Sequence, residues 1–356
     1  MRVLLSDTTF SYLYPGGKQV MAVRLVESLR RLGLQADFEN WHDPNLDPDV
    51  VHVMGFNDVG NLRELKRRGK RLVFTHILDW ITNSGEPAIR RKEWSNRAVR
   101  MLPSRFDRFF AWRAIPLFDA VCYMNQGDRD TGIRLYNLDP KRTHVIRLGV
   151  EDIQSYGVRP VGGPVEEIPE RYLVSVASIV PRKNQLFLAR ACRAAGVPVV
   201  FVGHPGNEQG DYFREFKALV DSKVVFYFRD APEALKRRLL WNASGFVLLS
   251  LGESGCIVVS EAGATGLPIL LADLPWAKDY EDPHGIRYAS PFDQAAATRE
   301  ISRFYESARR RDTPSFRVRT WREVAEMYRD VYREVLDLSA SPTPSAAGPT
   351  RRAHRS

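Results

Sequence analysis

The chain is poor in cysteine, with three in 356 residues, Cys122, Cys192 and Cys256, far apart and without paired spacing. That excludes a disulfide framework and a cysteine-based zinc site, and it fits a reducing compartment. Long apolar runs are missing as well. After Arg2 the N-terminus carries only three consecutive apolar residues, Val3 to Leu5, too few for the hydrophobic region of a signal peptide, and no stretch approaches the ~20 needed to span a membrane. A cytoplasmic protein, at most peripheral to a membrane, is expected. The seven histidines show no paired metal spacing, so no metal is expected. Neither a Gly-x-Ser-x-Gly elbow nor a P-loop occurs, which weakens hydrolase and NTPase readings.

What is present is a globular composition, 44% hydrophobic and 27% charged, at a length that favours two domains. The net charge of +9 suits nucleic acid, anionic lipid or a phosphorylated ligand. Three of those charges, Arg351, Arg352 and Arg355, fall in a tail, and the remaining excess is modest for the length, so no nucleic-acid partner is expected.

Short apolar runs alternate with helix-length amphipathic stretches. RVLL is followed by a helix through Gln19 to Gly33, then VVHVMG, RLVFTH, DAVCYM and THVIRL. Such alternation predicts βαβ units and a parallel sheet. Residues 153–170 are rich in Pro and Gly without apolar periodicity and read as a linker. The rhythm restarts with YLVSVA, VPVVFVG, KVVFYF, GFVLLS and LPILLA, helices falling between them, and closes with helices from Phe292 to about Arg310 and from Thr320 to about Leu338. The expectation is an α/β chain of two Rossmann-like domains, 1–152 and 171–338, joined by 153–170 and ended by a disordered tail over 339–356.

Ligands of open parallel sheets bind at the carboxyl ends of strands, where helix N-termini attract anions. After GFVLLS the turn Gly252-Glu253-Ser254-Gly255-Cys256 leads into a helix with Ile257 and Val258 in its first turn and Glu261 in its second. Glu253 can accept hydrogen bonds from sugar hydroxyls, Glu261 two from a ribose, and the amides of 254–258 can meet sugar or diphosphate oxygens. By spacing alone the pair reads equally as an N-terminal cap and a solvated helix position. Arg182 and Lys183 precede another helix after the strand YLVSVA, where two cations can bind a diphosphate or stand as a solvated pair. Pro15-Gly16-Gly17 opens the first helix as a turn that lets backbone amides approach a ligand. His76 ends the strand RLVFT in the run His76-Ile77-Leu78-Asp79, where an imidazole can meet a sugar or stay structural.

The run from Glu253 to Pro268, ESGCIVVSEAGATGLP, resembles the signature of the GT-B glycosyltransferases, family four, glycosyl transferases group 1. Two glutamates separated by seven residues and a closing Gly-Leu-Pro carry the resemblance. It implies two Rossmann-like domains facing across a cleft, with the C-terminal helix crossing back to the first. It also implies retaining transfer of a sugar from a nucleoside diphosphate sugar, UDP- or GDP-linked, without a resident cofactor. By the same resemblance Glu253 contacts the transferred sugar, Lys183 and Arg182 the donor phosphates, Glu261 the ribose, Gly16 and Gly17 the diphosphate, and His76 the donor sugar or acceptor. Two departures stand out: Gly255-Cys256 replaces the family's Phe-Gly, and Ala177-Ser178 its Gly-Arg. Rival readings are a nucleotide-sugar epimerase, a sugar phosphorylase and a non-catalytic binding protein.

Asp128-Arg129-Asp130 mimics a metal-binding Asp-x-Asp, yet it opens a helix, and acidic first turns are favoured there in any case, so it reads as capping. Residues 86–113 carry eight Arg and Lys interleaved with Trp94, Phe106, Phe109, Phe110 and Trp112. Such a stretch makes either surface helices with a buried aromatic face or a peripheral contact with anionic membrane. The acceptor is expected to be a sugar, a lipid-linked saccharide or a small molecule.

Overall fold

The computed structural model describes residues 1–7, 16–43, 45–55, 59–78, 80–163, 165–281 and 283–340. Pro15, Asp79 and the tail from 341 lie outside the described residues. In chain order the first part runs β1 (Arg2–Asp7), α1 (Gly17–Arg31), β2 (Gln35–Phe38), β3 (Val50–Met54), α2 (Val59–Arg67), β4 (Arg71–Thr75), α3 (Glu86–Arg100), β5 (Ala120–Tyr123), α4 (Gln126–Tyr136), β6 (Thr143–Val145) and α5 (Ile153–Tyr156). The second runs β7 (Leu173–Val176), α6 (Gln185–Ala195), β8 (Val199–Val202), α7 (Asp211–Leu219), β9 (Val225–Phe228), α8 (Glu233–Asn242), β10 (Gly245–Leu248), α9 (Ile257–Ala264), β11 (Ile269–Ala272), β12 (Ile286–Ala289), α10 (Gln294–Ser307) and α11 (Trp321–Ala340).

All strand pairs are parallel, in two six-stranded sheets ordered β2-β1-β3-β4-β5-β6 and β12-β11-β10-β7-β8-β9. Helices cover both faces, which is why the central strands are apolar without alternation; β3, VVHVM, is buried at every position. Helix α1 turns Met21, Ala22, Leu25, Val26 and Leu29 to the sheet and ends at Gly33, whose φ of 81° suits the residue after a C-cap. Two strands, β2 and β12, escaped the sequence reading. Both are four-residue sheet edges with a single buried residue, Ala36 and Ala289, and so carry no hydrophobic pattern.

The chain crosses between the sheets twice, and the crossings pair with each other. The Val150 amide donates to the Arg319 carbonyl and the Trp321 amide to the Val150 carbonyl, each at 2.9 Å. A Cβ on Gly149 would stand 2.7 Å from the Thr320 backbone, so a side chain there would force the crossings apart. Past the second crossing, α11 packs on the first sheet, where Trp321, Val324, Tyr328 and Val335 join Val3, Leu25 and Val50 in one core. Buried His52 ties it down, with one ring nitrogen 2.7 Å from the Tyr332 hydroxyl and the other 2.7 Å from Thr75. The segment read as a linker opens with α5, whose Tyr156 is buried in the second domain's core.

Candidate active site

In the second sheet the chain starts in the middle, runs outward through β7, β8 and β9, and returns to β10, so the order reverses between β7 and β10. The loops leaving these neighbouring strands diverge and leave a crevice. The β7 loop brings Pro181–Lys183 as a single 3-10 turn before α6, and the β10 loop brings Gly252 to Cys256 before α9. They are stitched together by the Leu251 amide, which donates to the Arg182 carbonyl at 2.8 Å.

Side chains meet there. Lys183 Nζ lies 2.5 Å from Glu253 Oε1, and Arg182 Nη1 lies 3.2 Å from Glu253 Oε2 and 2.6 Å from the Gly252 carbonyl. Glu253 is 3% exposed, so its charge is matched by two cations drawn from the other loop. Cys256, just before α9, gives no side-chain cap, and Ile257 and Val258 border open space. The helix therefore turns its first amides to the cleft as an anion-binding end. Burial pushes the Cys256 thiol up to about 12, which keeps it protonated and inert at neutral pH.

One turn further, Glu261 accepts from Lys236 Nζ at 3.0 Å on each oxygen and from the Tyr156 hydroxyl at 3.2 Å. A cleft of about 800 Å³ joins these groups, bordered by Gly16 and Gly17 at the start of α1, Arg182, Lys183, Gly255, Cys256 and Glu261. A second cavity of about 190 Å³ shares Gly17, Arg182, Lys183 and Gly255 with it and reaches Glu253, with Lys18, Met21, Ile77, Met124 and Leu148 as its first-domain wall. Ser254 turns away from the large cleft to the first domain, where its carbonyl accepts from Asn125 Nδ2 at 2.8 Å.

The structure thus brings Gly16, Gly17, Arg182, Lys183, Glu253, Gly255, Cys256, Ile257, Val258 and Glu261 around connected space. It does not bring His76 there. Side chains alternate along β4 and just beyond: Thr75 and Ile77 face α11 and the cleft, while Phe74 and His76 face the opposite core. The His76 ring stacks on Phe74 at 4.9 Å and packs on Tyr123 and Tyr136, and burial depresses its pKa to about 3, so it stays neutral. The same alternation, applied past the strand end, was the signal that placed Ile77 and not His76 on the cleft. At α4 the N-cap is Asn125, accepting from the Asp128 amide at 2.7 Å, with buried Asp128 in the first turn. Among the described residues no three His, Cys, Asp or Glu side chains gather as a metal would require. Lys236 and Tyr156 were missed, the first because it sits in an amphipathic helix as any solvated lysine would, the second because it falls in a stretch without periodicity.

Comparison with known proteins agrees with this layout. Residues 165–320 match the family described as Glycosyl transferases group 1. The chain is 27% identical over 259 residues to the alpha-maltose-1-phosphate synthase of Mycolicibacterium smegmatis, a match covering 62% of this chain and 65% of that protein. Among solved structures it is similar to the sucrose-phosphate synthase of Thermosynechococcus elongatus, at TM-score 0.67 and 15% identity over 96% of this chain and 100% of that one. It is also similar to the UDP-forming α,α-trehalose-phosphate synthase of Burkholderia xenovorans, at TM-score 0.61 and 15% identity over 92% and 80%. The two facing parallel sheets are the GT-B fold.

Proposed function

We propose that this chain, whose second domain is a glycosyl transferases group 1 domain, moves a sugar from a nucleoside diphosphate sugar to an acceptor hydroxyl with retention of configuration. The observation that carries the reading is the spacing of charge along one cleft. Glu261 stands at one end, Arg182 and Lys183 with the α9 N-terminus lie in the middle, and Glu253 is at the far end beside the first-domain wall. In this reading Glu261 takes the ribose, and the two cations, the α9 amides and the Gly16-Gly17 turn take the diphosphate. The Glu253 carboxylate orients the sugar. The acceptor oxygen bonds to the anomeric carbon on the face from which the diphosphate oxygen departs, and that oxygen takes the acceptor's proton. The cations offset the charge developing on the leaving group, and His76 has no part in the step. UDP- and GDP-sugars are the first donors to try, and a sugar, a lipid-linked saccharide or a small molecule is the acceptor class. The test is a panel of UDP-, GDP- and ADP-sugars screened by thermal shift, then by nucleotide release with and without acceptor. A donor that stabilises the protein, with release dependent on acceptor and lost in Glu253→Ala, supports the reading. No stabilisation by any donor, or full activity in Glu253→Ala, refutes it.

Peripheral contact with anionic membrane through 86–113 belongs to the same proposal. No helix among the described residues is long and apolar enough to cross a membrane. Arg90, Arg91, Trp94, Arg97 and Met101 share the outward face of α3 and the residue after it, with Trp94 73%, Met101 86% and Phe109 63% exposed. Exposed Arg91, Lys92 and Arg105 form no ion pair with any described carboxylate, while apolar tips stand among them, the pattern of an interfacial surface.

A further inference from the structure

Glu261 is held from two other elements. Lys236, in the first turn of α8, reaches both of its oxygens at 3.0 Å and spends its remaining proton on Glu233 at 2.9 Å. Tyr156, on α5 just past the inter-domain crossing, donates to Glu261 Oε1 at 3.2 Å. Arg237 then fixes Tyr156, its guanidinium 4.9 Å from the ring centre and bonded to the Ser155 carbonyl. A carboxylate offers about four acceptor positions. Lys236 takes one on each oxygen and Tyr156 the second on Oε1, which leaves one on Oε2. The Tyr156 oxygen, having donated, can itself accept. A vicinal diol entering the cleft therefore finds two acceptors side by side, Glu261 Oε2 and Tyr156 Oη.

We infer that Lys236 is a positioning residue for the nucleotide ribose: it sets the Glu261 carboxylate so that Glu261 and the Tyr156 hydroxyl together read the 2′,3′-diol. The inference rests on the donor reading above and assigns two residues outside the glutamate signature. Burial works against the Lys236 ammonium, but the Glu261 and Glu233 charges outweigh it and hold its pKa above the usual lysine value, so the brace stays charged through the physiological range. Without that cation Glu261, nearly buried beside a tyrosine, would be an uncompensated charge.

The test compares UDP and GDP with their 2′-deoxy counterparts by calorimetry on the full chain, with turnover measured alongside. The wild type should prefer the ribonucleotide by about tenfold, one lost hydrogen bond to a charged group. K236M should collapse that preference and raise donor KM by about tenfold while leaving kcat at saturating donor within about twofold. K236R should recover most of the preference, and Y156F, which keeps the ring, should lower it by about threefold. A purely structural Lys236 would lower stability and leave the ribose-to-deoxyribose ratio where it was. That ratio unchanged in K236M, or in Y156F should K236M fail to fold, overturns the inference. Glu261→Ala separates the two levels: a collapsed ratio there with an intact one in K236M removes only this inference, whereas an intact ratio in both removes the ribose placement as well.

Discussion

The cations proposed to grip a diphosphate are already engaged. Lys183 sits 2.5 Å and Arg182 3.2 Å from a Glu253 carboxylate that is 3% exposed, so an entering diphosphate must compete with Glu253 or share its partners. Neutralising that carboxylate as Glu253→Gln should therefore tighten nucleoside diphosphate binding while it destroys transfer. Two charges about 4 Å apart interact by ~4 kcal/mol at an effective dielectric of about 20. Most of this is returned, because the freed cations regain water; Arg182, about a third exposed, returns nearly all of it. Lys183, at 14% side-chain exposure, keeps more of the difference. A net gain of about 1.4 kcal/mol, or tenfold in Kd, is the expectation. The free diphosphate is the ligand to use, since a nucleotide-sugar would lose its contact with Glu253 and mask the gain. Turnover should fall by at least about a hundredfold, the size expected when a group that orients the reacting sugar is removed. Titration calorimetry of UDP and GDP at 50 and 300 mM salt reads the first effect, with Lys183→Met as the control that weakens binding. If Glu253→Gln bound the diphosphate no more tightly than the wild type, the competition argument would be wrong.

Gly255→Phe restores the residue common in the family, yet a Cβ at 255 would already lie 2.5 Å from Met124 Sδ and 2.7 Å from Leu148 Cδ1. The variant should keep its circular dichroism but lose about 1–3 kcal/mol of inter-domain packing, seen as a larger radius of gyration in solution scattering; an unchanged radius counts against it. Burial lowers the pKa of both His52 and His76 from the ordinary histidine value of 6.5 to about 3, so the unfolded chain binds more protons than the folded one between those values. Stability is then complete above pH 6.5 and lost as pH falls, by about 2 kcal/mol per histidine from pH 7 to 5. Urea unfolding of His52→Gln should show that much less pH dependence, and an unaltered slope would refute it. On vesicles with anionic lipid, Arg91→Glu with Lys92→Glu should abolish co-sedimentation and Trp94→Ala with Phe109→Ala should weaken it at any salt; equal recovery of all proteins sinks the membrane contact.

The parts of the site that were legible in sequence are those built from short-range pattern at a strand end. Glu253 to Glu261 and Arg182-Lys183 each lie within a dozen residues of an apolar strand, and parallel topology carries such loops to one edge of the sheet. What stayed hidden depends on partners distant in sequence. Lys236 differs in nothing from other lysines on amphipathic helices until α9, 25 residues on, places Glu261 against it. The edge strands β2 and β12 have one buried residue each, so the period-two signal has nothing to act on. The crossing back of α11, expected through the family resemblance alone, rests on His52 meeting Tyr332 across 280 residues, a separation no local pattern spans. His76 is a different case, because the alternation that hides it was present in FTHI and needed only to be carried two residues beyond the strand.

The replacement of the family's Phe-Gly by Gly255-Cys256 has a cause in the other domain. Asn125, the N-cap of α4, donates to the Ser254 carbonyl, and Asp279 accepts from the Gln126 amide at 2.5 Å and pairs with Arg147. The Trp276 amide donates to Asn83 Oδ1 at 3.2 Å. These bonds press the turn after Glu253 onto the first domain until Met124 and Leu148 occupy the room a side chain at 255 would need. Both also line the cavity that holds Glu253. Two apolar side chains from the first domain therefore stand where a side chain at 255 would otherwise lie. In the donor reading, the wall against the transferred sugar is then completed only while the domains are together. Discrimination between sugars should accordingly follow Met124 and Leu148 more closely than any residue of the glutamate signature: truncating either to Ala would relax donor choice, whereas Cys256→Gly, which restores the family residue at a position the first domain does not fill, would leave it nearly as it is.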